Sequence, residues 1–194
     1  MNDVAVDGIN DARTIVLVEG ASDRIALETL ASRRGRDLAS EGVQLLAMGG
    51  SKSAGTFLDR FGPKGLDKRV AGLCDAAEER DFQRGVHRSG LGNDPTRAEM
   101  EVLGFFVCVL DLEDELIRAL GVDAVEAVVE DQGDLASLRI FQKQPAQRGR
   151  SPEAQLRRFM GTRSGRKVNY ARLLVEALDL ECVPRPLDRL LAHL

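Results

Sequence analysis

The sequence predicts an α/β fold in which a mainly parallel sheet is flanked by helices and followed by a C-terminal helical extension. In the first part of the chain, short apolar and β-branched segments alternate with segments of helical periodicity. This order is expected of parallel strands joined by helices. After Gly121 the strand pattern stops and only helical periodicity continues. We therefore expect an α/β core in residues 1–121 and a helical extension, packed on that core, in residues 122–194.

The predicted strands are short and apolar, and each is followed by a helical segment. We place strands at Thr14–Val18, Val43–Met48, Val70–Cys74 and Phe105–Leu110. Helices are predicted at Ala21–Arg34, Ala54–Phe61, Leu112–Leu120, Val122–Asp131, Leu135–Lys143, Glu153–Met160, Val168–Leu178 and Pro186–Leu194. Ser22 is available near the start of the first helix. The segment Arg84–Pro95 is rich in glycine and is predicted to be an exposed loop.

Length and composition narrow the class of protein. The 194 residues suffice for one core with a short accessory segment but not for two full domains. With 43% hydrophobic and 30% charged residues, and no uncharged stretch of membrane-spanning length, the chain has the composition of a globular protein. The N-terminus lacks the basic and apolar regions of a secretion signal. These features predict a cytoplasmic protein that does not interact with membranes.

The three cysteines do not suggest a metal or disulfide framework. Cys74, Cys108 and Cys182 are odd in number, far apart and set among apolar residues. We expect reduced, buried thiols.

Acidic residues follow the predicted strands at the point where each strand ends. Glu19, Asp75 and Asp111 come directly after strands, and Asp23 lies one helical turn beyond Glu19. Because the carboxyl ends of parallel strands lie along one edge of a sheet, these carboxylates are expected to converge. Carboxylate oxygens are the protein ligands that Mg²⁺ prefers, and phosphodiester chemistry uses such ions. The pattern therefore indicates a Mg²⁺ (or Mn²⁺) site.

Each acid also has an ordinary structural explanation. Glu19 and Asp23 suit the positive end of a helix dipole, and Gly20 suits a tight turn. Asp111 and Asp114 are typical of a helix N-cap and first turn, and Ser51 of a cap after the turn Gly49-Gly50. For Glu113 the two explanations are evenly balanced. Only the joint pattern with Asp75 favours metal binding.

A basic cluster stands out in a chain whose net charge is −4. Between Arg148 and Lys167 only Glu153 opposes the positive residues, which are Arg148, Arg150, Arg157, Arg158, Arg163, Arg166 and Lys167. The default explanation is a solvated helix face. The clustering also supports the hypothesis of a phosphate-binding face for nucleic acid.

These motifs resemble the Toprim domain of the OLD (overcoming lysogenization defect) nuclease family. The first motif is Val18-Glu19-Gly20-Ala21-Ser22-Asp23, and Gly49-Gly50-Ser51, Gly72-Leu73-Cys74-Asp75 and Asp111-Leu112-Glu113-Asp114 follow in the family's order. The resemblance spans residues 14–190 and implies a Rossmann-like Toprim fold. By the resemblance, Glu19 is a metal ligand or general acid/base, and Asp23 and Asp75 are metal ligands. Asp111 and Glu113 contribute at the edge of the metal site, and Lys167 stabilises phosphate charge during catalysis.

Two departures from the family pattern bear on function. Toprim domains commonly carry a second aspartate two positions after the first, whereas this chain has Ala77 there; Glu78 and Glu79 are alternative ligands. OLD nucleases carry an ATPase domain before the Toprim domain, but this sequence contains no Gly-rich Lys-Ser/Thr loop. The resemblance therefore implies a standalone Toprim domain with a separate ATPase protein as a candidate partner.

Three functional hypotheses remain open from the sequence. The first is a Mg²⁺-dependent nucleotidyl hydrolase or transferase, acting as an endonuclease on DNA. The second, motivated by Ala77, is a catalytically degenerate Toprim module that binds nucleic acid or a partner ATPase. The third is a receiver-like phosphoacceptor at Asp75, which fits less well because Lys167 is predicted to lie in the helical extension. The oligomeric state stays open, with a homodimer as one alternative.

Overall fold

A four-stranded parallel sheet forms the centre of the molecule. The computed structural model describes residues 9, 11–50, 53–163 and 165–194. The strands are β1 (Thr14–Val18), β2 (Val43–Ala47), β3 (Arg69–Asp75) and β4 (Phe105–Cys108), in the order β2-β1-β3-β4. All three strand pairs are parallel, which confirms the predicted fold class. The four predicted strands are present, although β2 and β4 end before Met48 and Val109.

Ten helices flank the sheet in the part of the chain that the structure describes. They are α1 (Ala21–Arg33), α2 (Ala54–Phe61), α3 (Glu79–Ser89), α4 (Arg97–Val102), α5 (Leu112–Leu120), α6 (Val122–Asp131), α7 (Leu135–Gln142), α8 (Pro152–Met160), α9 (Arg166–Ala177) and α10 (Arg185–His193). Single 3₁₀ turns lie at Ala76–Glu78, Pro145–Gln147 and Leu180–Cys182. The predicted helices agree with these within about two residues at each end.

The two faces of the sheet are covered by different helices. Because side chains alternate along a strand, Val16 and Val18 face a hydrophobic core formed with α1 and α5–α10. Ile15 and Leu17 face a second core formed with α2, α3 and α4. Both faces of β1 are therefore buried, which explains its continuous apolar sequence.

The helices after Gly121 pack closely against α1. The side chain of Arg33 donates to the carbonyl oxygens of Val175 and Leu178, at 2.7 Å in each case. Arg34 forms an ion pair with Asp188 at 2.7 Å. These contacts hold the carboxyl end of α9 and the start of α10 against the end of α1. The division of the chain at Gly121 stays a prediction.

The predicted loop at Arg84–Pro95 is wrong in its first half. α3 continues to Ser89 because Phe82 and Val86 are buried against the sheet. Gly85, which suggested a loop, lies where α3 crosses α2: a Cβ there would meet Leu58 Cδ1 at 2.7 Å and Gly55 Cα at 3.1 Å. This glycine permits close helix packing rather than a turn. The helix ends at Gly90, whose φ of 83° is left-handed.

The cysteine prediction is wrong at one position. Cys74 and Cys108 are buried free thiols, as expected, but Cys182 is an exposed free thiol. It lies in the 3₁₀ turn between α9 and α10. Of the described helices, none is both long and apolar enough to span a bilayer.

Gly72 in β3 lies at a position without room for a side chain. A Cβ there would meet Leu17 O at 2.9 Å, Phe105 Cδ1 at 3.1 Å and Phe82 Cε1 at 3.2 Å. We expect Gly72→Ala to lower the free energy of unfolding by about 1–3 kcal/mol, because the central strands must separate. Urea denaturation measures this change. Gly161→Ala is the matched control, since its nearest atom lies at 3.5 Å, and an equal loss in both variants would contradict the prediction.

Candidate functional site

Glu19 and Asp75 end the two central strands of the sheet. The chain runs from β1 outward to β2, then returns to place β3 on the other side of β1. The carboxyl ends of β1 and β3 therefore meet where the strand order reverses, which is where open α/β sheets bind ligands. Asp75 continues the alternation of Ala71 and Leu73, so its side chain belongs to the face covered by α1 and α9.

The turn after β2 holds the backbone of Glu19. The carbonyl oxygen of Glu19 accepts from the N–H of Gly49 at 3.0 Å and of Gly50 at 3.3 Å. Both glycines have positive φ angles, 72° and 123°, which a residue with a side chain adopts only with strain. The predicted Gly49-Gly50 turn thus fixes the strand end that carries Glu19. Ser51 lies outside the described residues.

Asp23 is buried in the first turn of α1. Its side chain accepts from the N–H of Gly20 at 2.8 Å, and Gly20, rather than Ser22, is the N-cap. Gly20 is extended, with φ of −145°, a conformation that does not require glycine. Burial raises the pKa of Asp23, the Gly20 N–H and the positive charge of Lys167 oppose this rise, and the charge of Glu19 adds to it.

Asp75 has a strongly raised pKa at this sheet edge. Burial, followed by the negative charges of Asp23, Glu19 and Asp111, raises the pKa of Asp75 to about 8. The repulsion reflects the positions of these acids, at the carboxyl ends of β1 and β3, after β4 and in the first turn of α1. The structure therefore brings together the acids of β1, α1, β3 and the segment after β4.

Asp111 and Glu113 at the start of α5 are both engaged by cations. Asp111 caps α5, since its Oδ1 accepts from Asp114 N–H at 2.9 Å. Its Oδ2 accepts from Arg157 Nε at 2.6 Å and Nη2 at 2.5 Å. Glu113 is 2% exposed and pairs with Lys167 at 3.1 Å. The other oxygen of Glu113, Oε1, is buried and has no hydrogen-bond partner among the residues that the structure describes, which leaves an acceptor for a ligand.

Lys167 brings positive charge to the acids from the first turn of α9. Burial lowers the pKa of Lys167. The negative charges of Glu113, Asp23 and Asp111 outweigh burial and raise this pKa above its usual value. Lys167 is therefore an ammonium ion facing the acidic site. Its place in α9, rather than at the end of the last strand, also removes the basis of the receiver-like alternative.

The basic cluster predicted from the sequence does not form one face. Arg157 and Lys167 turn toward Asp111 and Glu113, while Arg166 is 8% exposed and binds Asp134 at 3.1 Å. A sequence shows neither the acids that these residues meet nor the direction of their side chains. Arg157 is the site residue that sequence reasoning did not single out.

Ala77 lies in the 3₁₀ turn that follows β3 and is exposed. Of the two acids next to it, Glu79 is engaged by Arg97. The negative charge of Glu78, in contrast, contributes to the raised pKa of Asp75. Glu78 is therefore the acid that acts on the site in the absence of one at position 77.

The donor set suits a hard divalent cation held partly through water. Among the described residues, no group of three or more His, Cys, Asp or Glu side chains is arranged to hold a metal directly. Mg²⁺, however, binds through one or two carboxylates and keeps several waters. The crowded carboxylates around Asp75 and the buried, unpartnered Glu113 Oε1 fit an ion of this kind.

The parallel sheet and the acids at its central strand ends are those of an α/β domain with a candidate metal site. Residues 12–76 match the family model for the overcoming lysogenization defect protein-like TOPRIM domain. Over these residues the match confirms the resemblance to the OLD-like Toprim domain. The matched residues include Glu19, Asp23 and Asp75 but end before Asp111, Glu113 and Lys167.

Solved structures extend the likeness in fold to nearly the whole chain. The C-terminal region of the Xanthomonas campestris pv. campestris OLD protein superposes with a TM-score of 0.71 at 22% identity, covering 96% of this chain and 93% of that one. The C-terminal region of the Burkholderia pseudomallei OLD protein gives a TM-score of 0.67 at 21% identity, covering 94% and 96%. No curated protein matches the sequence significantly. The helical extension thus belongs to the shared fold.

Proposed function

We propose that the chain is a metal-dependent nucleotidyl hydrolase or transferase of the Toprim type that acts as an endonuclease on DNA phosphodiester bonds. The observation that carries this proposal is the convergence of Glu19, Asp23, Asp75 and Asp111, whose mutual repulsion, added to burial, raises the pKa of Asp75 to about 8. A folded protein tolerates such repulsion chiefly where a cation or proton relieves it. Toprim domains bind divalent metal ions, and we propose Mg²⁺ or Mn²⁺ here.

Each residue of the site would have its own role in this phosphodiester chemistry. Asp23 and Asp75 bind the metal, Glu19 binds it or transfers a proton, and Asp111 and Glu113 complete the site at its edge through water. A bound divalent ion would neutralise phosphate charge and activate the attacking oxygen. The Gly20 N–H orients Asp23, and the Gly49-Gly50 turn fixes the backbone of Glu19. Lys167, a charged ammonium beside Glu113, stabilises negative charge on the phosphate.

Plasmid cleavage tests the proposal. We expect purified protein to nick or linearise supercoiled DNA with Mg²⁺ or Mn²⁺ and not with EDTA. Glu19→Gln should lower the rate by about 10²-fold or more, because it removes charge and proton transfer from the reacting centre. Glu28→Gln is the matched control, since Glu28 pairs with Arg24 on the exposed side of α1. Cleavage by Glu19→Gln at the wild-type rate would contradict the assigned site.

A degenerate module that binds nucleic acid or a partner ATPase is the second candidate. Two observations favour it: Ala77 replaces an acid, and Asp111 and Glu113 are already paired with Arg157 and Lys167. Titration calorimetry with Mn²⁺ separates the candidates. Binding that disappears in Asp75→Asn supports the enzyme, whereas absence of any metal binding supports the module.

A further inference from the structure

The arginines of α8 and its flanking turns divide into an inward and an outward set. Arg157 reaches Asp111 at the acidic site. Arg148, Arg150, Arg158 and Arg163 are exposed instead. We call these four residues the outer arginine face.

The outer arginine face differs from most arginines in this protein. Elsewhere among the described residues, exposed or partly exposed arginines commonly pair with a carboxylate, as do Arg24, Arg34, Arg36, Arg84, Arg88, Arg97, Arg118, Arg139, Arg172 and Arg185. In the same described ranges, none of the four forms an ion pair; Arg150 donates only to the carbonyl of Ala146, at 3.0 Å. Four uncompensated cations in a chain of net charge −4 make a local positive potential.

The fold places Arg148, Arg150 and Arg158 on one side of α8, a helix that also reaches the acidic site. The side chain of Gln155 donates to the carbonyl oxygens of Gln147 at 3.0 Å and Arg150 at 3.4 Å, which holds the turn before α8 against this side of the helix. Arg158 lies three residues beyond Gln155 and therefore on the same side. Leu156, Phe159 and Met160 take the buried side. Arg157, next to Arg158, donates to Asp111. The helix α8 therefore has one cation at the edge of the acidic site and another on the exposed surface.

We propose that the outer arginine face binds the phosphodiester backbone of nucleic acid, with Arg157 marking the path from this face to the acidic site. Guanidinium groups bind phosphate oxygens through two parallel hydrogen bonds, and unpaired exposed arginines have their donors available. Contacts to the backbone alone carry no sequence information. The proposal deepens the proposed function, on which it rests for the nature of the polyanion, by assigning the surface that holds the substrate.

Binding measured without cleavage tests the proposal. Fluorescence anisotropy of a short labelled DNA duplex is recorded in EDTA from about 50 to 200 mM KCl. The test variant is Arg148→Ala/Arg150→Ala/Arg158→Ala. The control, Arg84→Ala/Arg88→Ala/Arg172→Ala, removes the same formal charge from arginines that already pair with Asp81, Asp59 and Glu176. Circular dichroism confirms that both variants are folded.

We expect wild type and control to bind with similar salt dependence. The test variant should bind about tenfold or more weakly and lose about 2–3 from the slope of log K against log salt, because each phosphate contact contributes about 0.9. Equal slopes for test variant and wild type, or no binding by wild type, would overturn the proposal. So would displacement of the protein by polyglutamate but not by unlabelled duplex, which assigns an acidic protein instead. Because binding is recorded in EDTA, where no metal-dependent cleavage occurs, failure of the proposed catalysis leaves this result readable.

Discussion

Asp75→Asn should make the metal-free protein more stable than wild type at pH 8 and abolish its metal binding. The ordinary pKa of an aspartate is 3.8, and burial and the neighbouring acids raise that of Asp75 to about 8. The folded protein therefore keeps a proton that the unfolded chain releases. The stability that this proton provides is complete below pH 4 and is lost as the pH rises to about 8. Asparagine stays neutral and avoids that loss.

We expect the difference in free energy of unfolding between Asp75→Asn and wild type to grow from pH 5 to pH 8 by up to about 4 kcal/mol, because each pH unit between the two pKa values adds about 1.4 kcal/mol. Urea denaturation in EDTA at several pH values measures it. Asp11→Asn is the control, since Asp11 is exposed and remote from the strand ends that carry the acids. A constant difference across this pH range would show that Asp75 is not repelled by Glu19 and Asp23.

The same charge repulsion has the opposite consequence for metal binding. A divalent ion must displace the proton of Asp75, so its apparent affinity should increase as the pH approaches 8. In Asp75→Asn the repulsion is relieved and one anionic ligand is gone, and calorimetric heats with Mn²⁺ should disappear. This opposition between stability and ligand binding is typical of functional sites.

Arg166→Met should cause a large loss of stability although Arg166 lies outside the acidic site. The side chain of Arg166 is 6% exposed, and its guanidinium binds Asp134 Oδ1 at 3.1 Å. It also donates to Thr162 Oγ1 at 2.8 Å and lies 4.1 Å from the ring centroid of Phe159. Its removal leaves Asp134 with Tyr170, whose hydroxyl donates to Oδ2 at 3.0 Å. We expect a loss of about 3 kcal/mol, because breaking a buried ion pair strands one charge.

Urea denaturation again provides the measurement. Arg172→Met is the control, because Arg172 and its partner Glu176 are 40% and 44% exposed, and such pairs contribute about 0.5 kcal/mol or less. Tyr170→Phe should cost about 1 kcal/mol, the net value of one hydrogen bond. If Arg166→Met cost no more than Arg172→Met, the network would not stabilise the start of α9, and hence would not help to place Lys167.

The parts of the site that lie within single strand-helix units were predictable from the sequence. Glu19 and Asp75 end apolar segments, and parallel strands bring their carboxyl ends to one edge whatever the packing around them. Glycines were less informative, because one residue type serves different purposes. Gly49 and Gly50 form the predicted turn, but Gly85 permits contact between α2 and α3, and Gly20 is extended. The local pattern around Gly85 therefore suggested a loop where tertiary packing requires a helix.

The sequence by itself determined the parallel α/β order, the helical extension and the strand-end acids, because these depend on periodicity and on neighbours in the chain. Only the tertiary structure decided how the basic cluster is used. Arg157 meets Asp111, which lies 46 positions away, and Lys167 meets Glu113, whereas Arg158 faces outward. Adjacent arginines on a helix point in directions about 100° apart, so their partners depend on which side the rest of the fold covers.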